Sequence, residues 1–475
     1  MSIQKDLQKW INQSPGLRFS SEIREVNKNL NRTIVVLDDD PTGTQTVHNL
    51  PVITVWERDL LADLFRQDTP LFYVLTNSRS LNANIAKNLV SKISQNLREV
   101  SEQTGRDYNV ILRSDSTLRG HHPEEMDVLL QTSGKEPDLK ILHPAFIEGG
   151  RVTFQGVHYA DEKGHYIPCG ETEYAKDSTF GYRSSDLSDW IIEKTGGQVT
   201  SGQIVSFSID QVRNDSPEEL AGRIKKINKG NYITADALSY HDIDKFCLAL
   251  LKSERSFVAR TAASFVASIG GIEQRLLLSA KELAYQSGNG GLIIAGSHVD
   301  KTTRQLNKLM ELADIRHLVL DVKKLLETEN REGFLQQWVD LVQNHIKKNQ
   351  DLLIYTSREV ITTDDASKSL NIGNKISTFI SDLISALSAT PSFLIAKGGI
   401  TSSDIATKSL QVKKAKVMGQ ILPGIPVWEL GEESKYPGMP YVIFPGNVGD
   451  DRALLDAFYR IKNKLSTPDK ADLHD

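Results

Sequence analysis

The sequence predicts an α/β protein of two three-layer domains with largely parallel sheets, and three observations lead to this fold class. The chain has 475 residues, more than one ordinary hydrophobic core accommodates. Short β-branched runs alternate with longer segments of helical period, a pattern typical of βα units. The stretch KELAYQSGNGG at 281–291 ends in Gly, Ser and Asn and interrupts this alternation. We therefore expect one domain at 1–285 and a second at 286–475.

The strands of each domain are predicted from apolar runs that end in polar loops. In the first domain these runs are TIVVL (33–37), PVITVW (51–56), LFYVLT (71–76), NVILRS (109–114) and LKILH (139–143), then QIVSFS and NYITADA. An amphipathic helix is expected at 84–103. In the second domain the runs are GLIIAG (291–296), HLVLDV (317–322), DLLIYT (351–356), PSFLIAKGG (391–399) and YVIFPGN (441–447).

Composition excludes several classes of protein. A formal charge of -5 without a basic block argues against a nucleic-acid partner. No apolar run approaches the length of about 20 residues that a membrane span needs, and the N-terminus lacks the apolar core of a secretory signal, so a cytoplasmic protein is expected. The two cysteines, Cys169 and Cys247, lack metal or disulfide spacing and are predicted to be buried.

Three consecutive carboxylates follow the first predicted strand. Asp38, Asp39 and Asp40 precede Pro-Thr-Gly-Thr, at the kind of strand end where open parallel sheets bind ligands. One interpretation is that Asp40 caps the next helix and the others are solvated. The alternative is a ligand-binding cluster whose mutual repulsion is relieved by cations or hydrogen bonds.

Two further loops of the first domain carry groups suited to a small carboxylated polyol. Guanidinium groups pair with carboxylates, and Ser, Thr and Asp suit hydroxyls. A capped turn stabilised by an arginine salt bridge is the structural alternative. The histidine pair at 121–122 is expected to pack the loop rather than to bind a metal. The groups that these loops supply are Arg79, Arg113, Asp115, Ser116, Thr117 and Arg119.

Small residues follow the strands of the second domain, in GSHVDKTTRQL, KGGITSSDIA and PGNVGDDRAL. Backbone N–H groups in such loops, together with helix N-termini, suit an anion such as a nucleotide phosphate. None of the loops matches the Walker or the dinucleotide-binding pattern.

Taken in order, these segments resemble the four-carbon acid sugar kinase family, which includes threonate, erythronate and 3-oxo-tetronate kinases. The family's A-D-D-x-T-G corresponds to DDDPTG here, its K-x-D-S-T-L-R-G-N to RSDSTLRGH, and its P-A-F-P-x-x-G-R-x-T to PAFIEGGRVT. GSHVDKTTRQ, GGITSSD and PGNVGDD follow the family's later motifs. ETEYAKDSTFGYRSSDL and RTAASFV are also similar to family segments, so the resemblance spans about residues 33 to 465.

The resemblance implies an acid-sugar-binding domain, a nucleotide-binding domain and an active site in the cleft between them. The γ-phosphate of ATP would pass to a terminal hydroxyl of the acid, with Asp39 or Asp40 as the catalytic base. Mg²⁺ normally accompanies ATP, but no residue is assigned to hold it, and a homodimer is left open. Besides these two aspartates, the residues implied to hold the sugar acid are Arg79, Ser114, Asp115, Ser116, Thr117, Leu118 and Arg119. The residues implied to contact ATP are Ser297, Gly398, Gly399, Ile400, Thr401, Gly446 and Asn447.

The sequence departs from the family pattern in the acid-sugar half. Asp38 stands where the family has a small residue, Pro41 replaces an apolar residue, Arg113 replaces a lysine, and His121 replaces an asparagine. The identity of the acid therefore stays open, with branched and oxidised sugar acids included.

Two alternatives to a kinase come from other classes of protein. VVLDDDPTG also fits a haloacid-dehalogenase-like phosphate-ester hydrolase with Asp38 as nucleophile and Asp40 as acid, and Gly449–Asp451 would supply its distal acids. A sugar-acid sensor without catalysis is the other alternative. Consumption of ATP that depends on an added sugar acid distinguishes the three.

Overall fold

The fold of each half of the chain follows from where its apolar runs form strands. A computed structural model describes residues 2–67, 69–134, 136–296, 299–357, 366–446 and 448–463. The chain divides into two compact units, Met1–Gln274 and Arg275–Asp475. The domain boundary expected at residue 285 stays a prediction. Within the described ranges, no helix combines the length and apolar character needed to cross a bilayer.

The first unit contains a parallel sheet with the strand order β2-β3-β1-β4-β11-β5-β10-β9. A separate antiparallel sheet has the order β6-β7-β8. The strands are β1 Arg32–Asp38, β2 Pro51–Ile53, β3 Leu71–Leu75, β4 Asp107–Arg113, β5 Leu139–His143, β6 Arg151–Phe154, β7 Val157–Glu162, β8 His165–Pro168, β9 Ile204–Phe207, β10 Asn231–Ala235 and β11 Phe257–Thr261.

Two groups of helices in the first unit pack against its parallel sheet. The helices are α1 Ser2–Asn12, α2 Ser20–Asn29, α3 Arg58–Arg66, α4 Ala83–Thr104, α5 Glu124–Thr132, α6 Leu187–Lys194, α7 Ile209–Asn214, α8 Pro217–Lys225, α9 Tyr240–Lys252 and α10 Ala263–Ile269. Helices α3 to α6 contribute to one hydrophobic cluster with Val35 and Leu37 of β1. Helices α2, α9 and α10 pack on one another, and α10 contacts β4. Ile34 and Val36, on the other face of β1, are also buried, which explains why this strand reads as an unbroken apolar run.

The second unit contains a mixed sheet with the order β13-β14-β12-β15-β18-β17-β16. Pairing is antiparallel between β16 and β17 and between β17 and β18, and parallel elsewhere. The elements are β12 Leu292–Ala295, α11 Asp300–Leu312, β13 Arg316–Leu320, α12 Val322–Glu327, α13 Arg331–Lys347, β14 Leu352–Thr356, α14 Ala366–Ala386, β15 Leu394–Lys397, α15 Gly399–Asp404, β16 Lys414–Leu422, β17 Ile425–Leu430, β18 Pro440–Phe444 and α16 Ala453–Ile461.

The predicted α/β class is confirmed, and so are the predicted strands and the long helix α4. The second predicted strand is shorter than expected and ends at Ile53. The sequence-based prediction missed β11, the antiparallel strands β6–β8, and the β16–β17 hairpin. Cys169 and Cys247 are both buried free thiols, as predicted.

Candidate active site

The candidate site lies at the carboxyl end of β1, between the ends of β3 and β4. After β1 the chain moves outward to β2 and returns to β3, whereas after β4 it moves the other way to β5. Such a reversal of direction leaves a crevice at the carboxyl ends of the central strands, where ligands of open α/β sheets bind. The three aspartates stand at this reversal, and each has a different environment.

Asp38 is enclosed by protein. It is 1% exposed, and its carboxylate lies against Gly43, where a Cβ atom would come within 2.0 Å of Oδ2. Arg113 NH1 is 3.2 Å from Asp38 Oδ1. Burial raises the pKa of Asp38 to about 7 against the opposing charge of Arg113. Its role is therefore internal packing and pairing, not contact with a ligand.

Asp39 is buried but only partly satisfied. Oδ2 accepts a hydrogen bond from Ser114 Oγ at 2.8 Å. Oδ1 is buried without a hydrogen-bond partner, with Arg79 NH2 and Arg113 NH1 each 3.8 Å away. Burial is the main cause that raises the pKa of Asp39 above its ordinary value, and the two arginines oppose it. A carboxylate oxygen in this state can accept one further hydrogen bond, and a ligand hydroxyl could supply it.

Asp40 has features of both interpretations made from the sequence, because it caps a turn and also pairs with a cation. It caps the short 3₁₀ turn Pro41–Thr44 through a 2.8 Å hydrogen bond from the Thr42 amide, and Arg79 NH2 donates to its other oxygen. Burial acts to raise the pKa of Asp40, but Arg79, Arg113 and the Thr42 hydrogen bonds outweigh it and hold the pKa below its ordinary value. With 23% of its side chain exposed, Asp40 is the most accessible of the three aspartates.

Two arginines at the rim are bridged by one carboxylate. Arg79 NH1 lies 3.5 Å from Asp115 Oδ1, and Arg119 Nε donates to Asp115 Oδ2 at 2.8 Å. Burial opposes the charged form of Asp115, but both arginines outweigh it and the pKa is strongly lowered. Arg119 NH1 is also 3.6 Å from Asp177, and its guanidinium lies over the ring of Tyr174. Each guanidinium has five donor hydrogens, so these contacts leave donors for a ligand.

The remaining residues of the 114–119 loop shape its backbone. Thr117 is buried, donates to Asp115 and accepts a hydrogen bond at its carbonyl from Tyr182. The Ser116 carbonyl lies 2.8 Å from His158 Nε2. Leu118 has a φ of 68°, and its side chain packs in the hydrophobic cluster. A contact between Leu118 and substrate would therefore involve its backbone.

Arg260, at the end of β11, was not among the predicted site residues. Its NH1 donates to Ser114 Oγ at 3.1 Å, and its NH2 donates to the carbonyls of Leu118 and Arg119 at 3.2 and 2.8 Å. Asp177 and Tyr182 were missed in the same way. The sequence did contain a signal for these residues. Arg260 lies in RTAASFV, and Asp177 and Tyr182 lie in ETEYAKDSTFGYRSSDL, two segments that resemble the family but contain no predicted site residue.

The histidine pair packs the loop, as expected from the sequence. His122 is buried and stacks on Trp190 with ring centroids 5.0 Å apart, while His121 Nε2 lies 2.9 Å from the Leu81 carbonyl. Burial lowers the pKa of His122 well below its ordinary value. Both rings are thus part of the packing around α5.

In the second unit, Gly296 and Gly398 follow the adjacent strands β12 and β15, and Thr401 lies in α15. Gly398, directly after β15, has a φ of 111° and donates its N–H to the Phe444 carbonyl at 2.8 Å. A Cβ atom on Gly296, after β12, would lie 2.6 Å from Thr401 Oγ1. Gly399 begins α15, and Ile400 is largely exposed. Of the other predicted ATP contacts, Ser297 and Asn447 lie outside the described residues.

Lys397 is a buried cation beside the Gly398 turn. Its side chain is fully enclosed, donates to the Pro445 carbonyl at 3.1 Å and lies over the ring of Phe444. Burial, assisted by the charge of Lys301, lowers the pKa of Lys397 to about 7. Among the residues that the structure describes, no carboxylate forms an ion pair with it.

The backbone around Gly398 and Gly446 has the small residues that suit a nucleotide phosphate. A Cβ atom on Gly446 would meet nothing within 4 Å, so open space adjoins the backbone there. Small residues of this kind permit close approach of an anion. For Mg²⁺ the structure assigns no residue, since the described ranges contain no group of three or more His, Cys, Asp or Glu arranged to hold a metal.

A cavity of about 440 Å³ lies elsewhere in the first unit, around Asp107, Tyr108 and Phe257 at the amino ends of β4 and β11. Polar groups in its lining are paired with one another: Ser256 donates to Asp138, and Lys229 faces Glu136 at 3.5 Å. The described residues that line it include no buried side-chain nitrogen or oxygen without a hydrogen-bond partner, in contrast to Asp39, so the carboxyl ends of the strands remain the candidate site.

Two different family models match the two units of the chain. Residues 34–269 match the model of a sugar-binding N-terminal domain, and residues 292–454 match that of a nucleotide-binding C-terminal domain. No match was found among curated proteins.

Solved structures share the fold at low identity. A Haemophilus influenzae protein of the DUF1537 family is 17% identical, with a TM-score of 0.62 over 90% of this chain and 100% of its own. A Salmonella typhimurium LT2 protein described as a candidate tRNA synthase is also 17% identical, with a TM-score of 0.66 over 90% of this chain and 99% of its own. At this identity the likeness establishes the fold alone.

Fold and domain matches together define a two-domain protein that binds a sugar and a nucleotide. This combination is typical of sugar kinases. The chain belongs to the four-carbon acid sugar kinase family.

Proposed function

We propose that this protein is an ATP-dependent kinase that phosphorylates the terminal hydroxyl of a small sugar acid of about four carbons, such as a tetronate, a 3-oxo-tetronate or a branched relative. The observation that carries the proposal is the buried Asp39 carboxylate, which has one oxygen without a hydrogen-bond partner. The partly exposed Arg79 lies near that oxygen, and Asp115 links Arg79 to the partly exposed Arg119. The match of the second unit to a nucleotide-binding domain supports ATP as the phosphate donor.

The acid would bind through the arginines. Arg79 and Arg119 retain donors after their contacts with Asp40, Asp115 and Asp177, and a bidentate carboxylate would fix which end of the substrate faces the base. Arg79 also lies near Asp39 Oδ1. A substrate carboxylate that draws Arg79 outward would uncover this oxygen for the hydroxyl group.

Phosphoryl transfer requires positioning, charge stabilisation and a group that accepts the hydroxyl proton late in the reaction. Asp39 or Asp40 would orient the hydroxyl and accept its proton as the oxygen bonds to the γ-phosphorus and ADP leaves. The predicted contacts to ATP from Ser297, the Gly398–Thr401 turn, Gly446 and Asn447 remain proposals. Mg²⁺, when bound with ATP, would neutralise phosphate charge.

The hydrolase alternative is less well supported. It needs Asp38 as a nucleophile, but this carboxylate is enclosed by Gly43 and paired with Arg113. The cytoplasmic location and the homodimer stay predictions.

A panel of tetronates, oxo-tetronates and branched sugar acids, assayed by coupled release of ADP, tests the proposed function. We expect ADP release only when one of these acids is added, and equimolar formation of a phosphorylated acid. ATP turnover that ignores every acid, or phosphate release from sugar phosphates without ATP, would contradict the proposal.

A further inference from the structure

Arg260 is a buried cation behind the candidate base, and the proposed function gives it no role. Its residue is 3% exposed, and its hydrogen bonds hold Ser114 together with the carbonyls of Leu118 and Arg119. It therefore supports the substrate loop from its buried side, whereas the side chains of Asp40 and Arg79 are partly exposed.

The direction of the hydrogen bonds is fixed by chemistry. Arginine only donates, so Ser114 Oγ accepts from Arg260 NH1, and its own hydrogen is directed to Asp39 Oδ2 at 2.8 Å. Oδ2 is thereby engaged. Oδ1 is left as the oxygen of Asp39 without a hydrogen-bond partner.

Gly120 shows how closely this chain of contacts is packed. With a φ of 126°, its Cβ position lies 3.0 Å from Ser114 Oγ, 3.3 Å from Asp39 Oδ2 and 3.4 Å from Arg260 NH1. A side chain at residue 120 would push into all three groups. The backbone at Gly120 thus confines the Arg260–Ser114–Asp39 chain.

We propose that Arg260 is a positioning residue for phosphoryl transfer: acting through Ser114, it holds Asp39 so that Oδ1 receives the hydroxyl proton of the sugar acid. This inference rests on the proposed kinase function. As the hydroxyl oxygen bonds to the γ-phosphorus, its proton passes to Oδ1, and the bond from the γ-phosphorus to the β–γ bridging oxygen breaks to release ADP. Arg260 itself touches neither substrate.

Arg260 also contributes charge to this environment. Its cation favours the ionised form of Asp39, so its removal should raise the pKa of Asp39 and move the acid limb of kcat/KM to higher pH. The charged and titratable groups that face Asp39 are Asp38 and Asp40 from β1 and its loop, Arg79 from the loop after β3, Arg113 from β4, Arg260 from β11 and Glu125 from α5.

Two substitutions separate charge from geometry. R260M should lower kcat by about 10- to 100-fold and shift the acid limb upward, because a hydrogen bond to an oriented group and a charge are both lost. R260K keeps the charge without the guanidinium fork, so it should lower kcat while the acid limb stays near its wild-type position. The KM for ATP should change in neither variant.

R213M is the matched control. Arg213 is also a buried arginine of the first unit and donates to Asp242, the Trp10 carbonyl and Ser14, none of which belongs to the candidate site. It should lose stability as R260M does, yet keep the wild-type pH profile. If R260M does not fold, S114A interrupts the same chain of contacts without removing a buried cation, and it should lower kcat at unchanged ATP KM.

A readout that does not need turnover separates this inference from the proposed function. The Asp39 carboxyl carbon, labelled with ¹³C and assigned by its disappearance in D39N, should titrate at higher pH in R260M and in S114A than in the wild type. An unchanged midpoint, or wild-type kcat and acid limb in folded R260M and S114A, would overturn the positioning role. Absence of acid-dependent ADP release from the wild type would instead overturn the kinase function.

Discussion

The carboxyl ends of the strands are built from different groups in the two units. In the first unit, side-chain charges meet there: Asp39, Asp40 and Asp115 face Arg79 and Arg119. In the second unit the corresponding loops present glycine backbone and hydroxyl groups, with Lys397 enclosed beneath them. Directional side chains suit a small stereochemically defined acid, whereas backbone N–H groups suit a phosphate chain. Substitutions at the site of the first unit should therefore change the kinetic constants for the acid, and substitutions in the loops of the second unit should change the KM for ATP.

The largest expected effect is that of D39N. Loss of the proposed proton acceptor should lower kcat by about 10²- to 10⁴-fold, while the KM for ATP stays unchanged. Steady-state ADP release measures this, and circular dichroism checks the fold. D40N is tested in the same way, because Asp40 is the other aspartate proposed as the base. If both variants keep wild-type turnover, neither aspartate is the base.

R119M should act on the acid and spare ATP. Removing one charged hydrogen-bond donor to the substrate carboxylate should raise the KM for the sugar acid by roughly 10- to 100-fold. R183M, at an arginine whose side chain is 92% exposed, is the control and should match the wild type. A rise in the KM for ATP instead would mean that the two units have exchanged roles.

G398A should show the reverse selectivity. At a φ of 111° an alanine is strained, by about 1–3 kcal/mol, and relaxation of the turn should raise the KM for ATP roughly tenfold while the KM for the acid is kept. Gly373, on the helix α14 with open space at its Cβ position, supplies the control G373A. Equal changes in both KM values would argue against a separate nucleotide loop.

G43A probes packing against the acidic cluster. Its Cβ atom would meet both carboxylate oxygens of Asp38, at 2.0 and 2.2 Å, and such overpacking should cost about 1–3 kcal/mol of unfolding free energy. G222A, on α8 with no atom within 4 Å of the added carbon, should instead stabilise by about 0.5–1 kcal/mol. Urea denaturation compares them, and equal stability of the two variants would contradict the close approach.

The smallest effect concerns pH. Because the pKa of Asp38 is raised to about 7 by burial, its contribution to stability is complete below its ordinary pKa and is lost as the pH rises through about 7. D38N should therefore make the fall in unfolding free energy shallower between about pH 4 and about pH 7. Urea midpoints across this interval measure the slope, and a D38N curve parallel to the wild type would refute the assignment.

Sequence patterns predicted the strand β1 and the candidate site at its end, but they missed β11 and its Arg260. Runs such as TIVVL are buried on both faces and end in charged loops, so both the strand and the site at its end could be predicted. β11 was missed because its run FVART carries Arg260, a residue that normally argues against burial. The loop at 114–119 stabilises the buried Arg260 by accepting its hydrogen bonds. This loop is remote from β11 in the sequence, and only the fold brings the two together.

The position of β11 in the sheet has a consequence for the order in which the first unit can assemble. This strand pairs with both β4 and β5, yet it follows them in the chain by more than a hundred residues. Before β11 is added, the other strands of this sheet can pair only as β2-β3-β1-β4 and as β5-β10-β9, without their common neighbour. Contacts of such long sequence separation form slowly, so closure of the sheet and completion of the site should coincide near the end of the synthesis of the first unit.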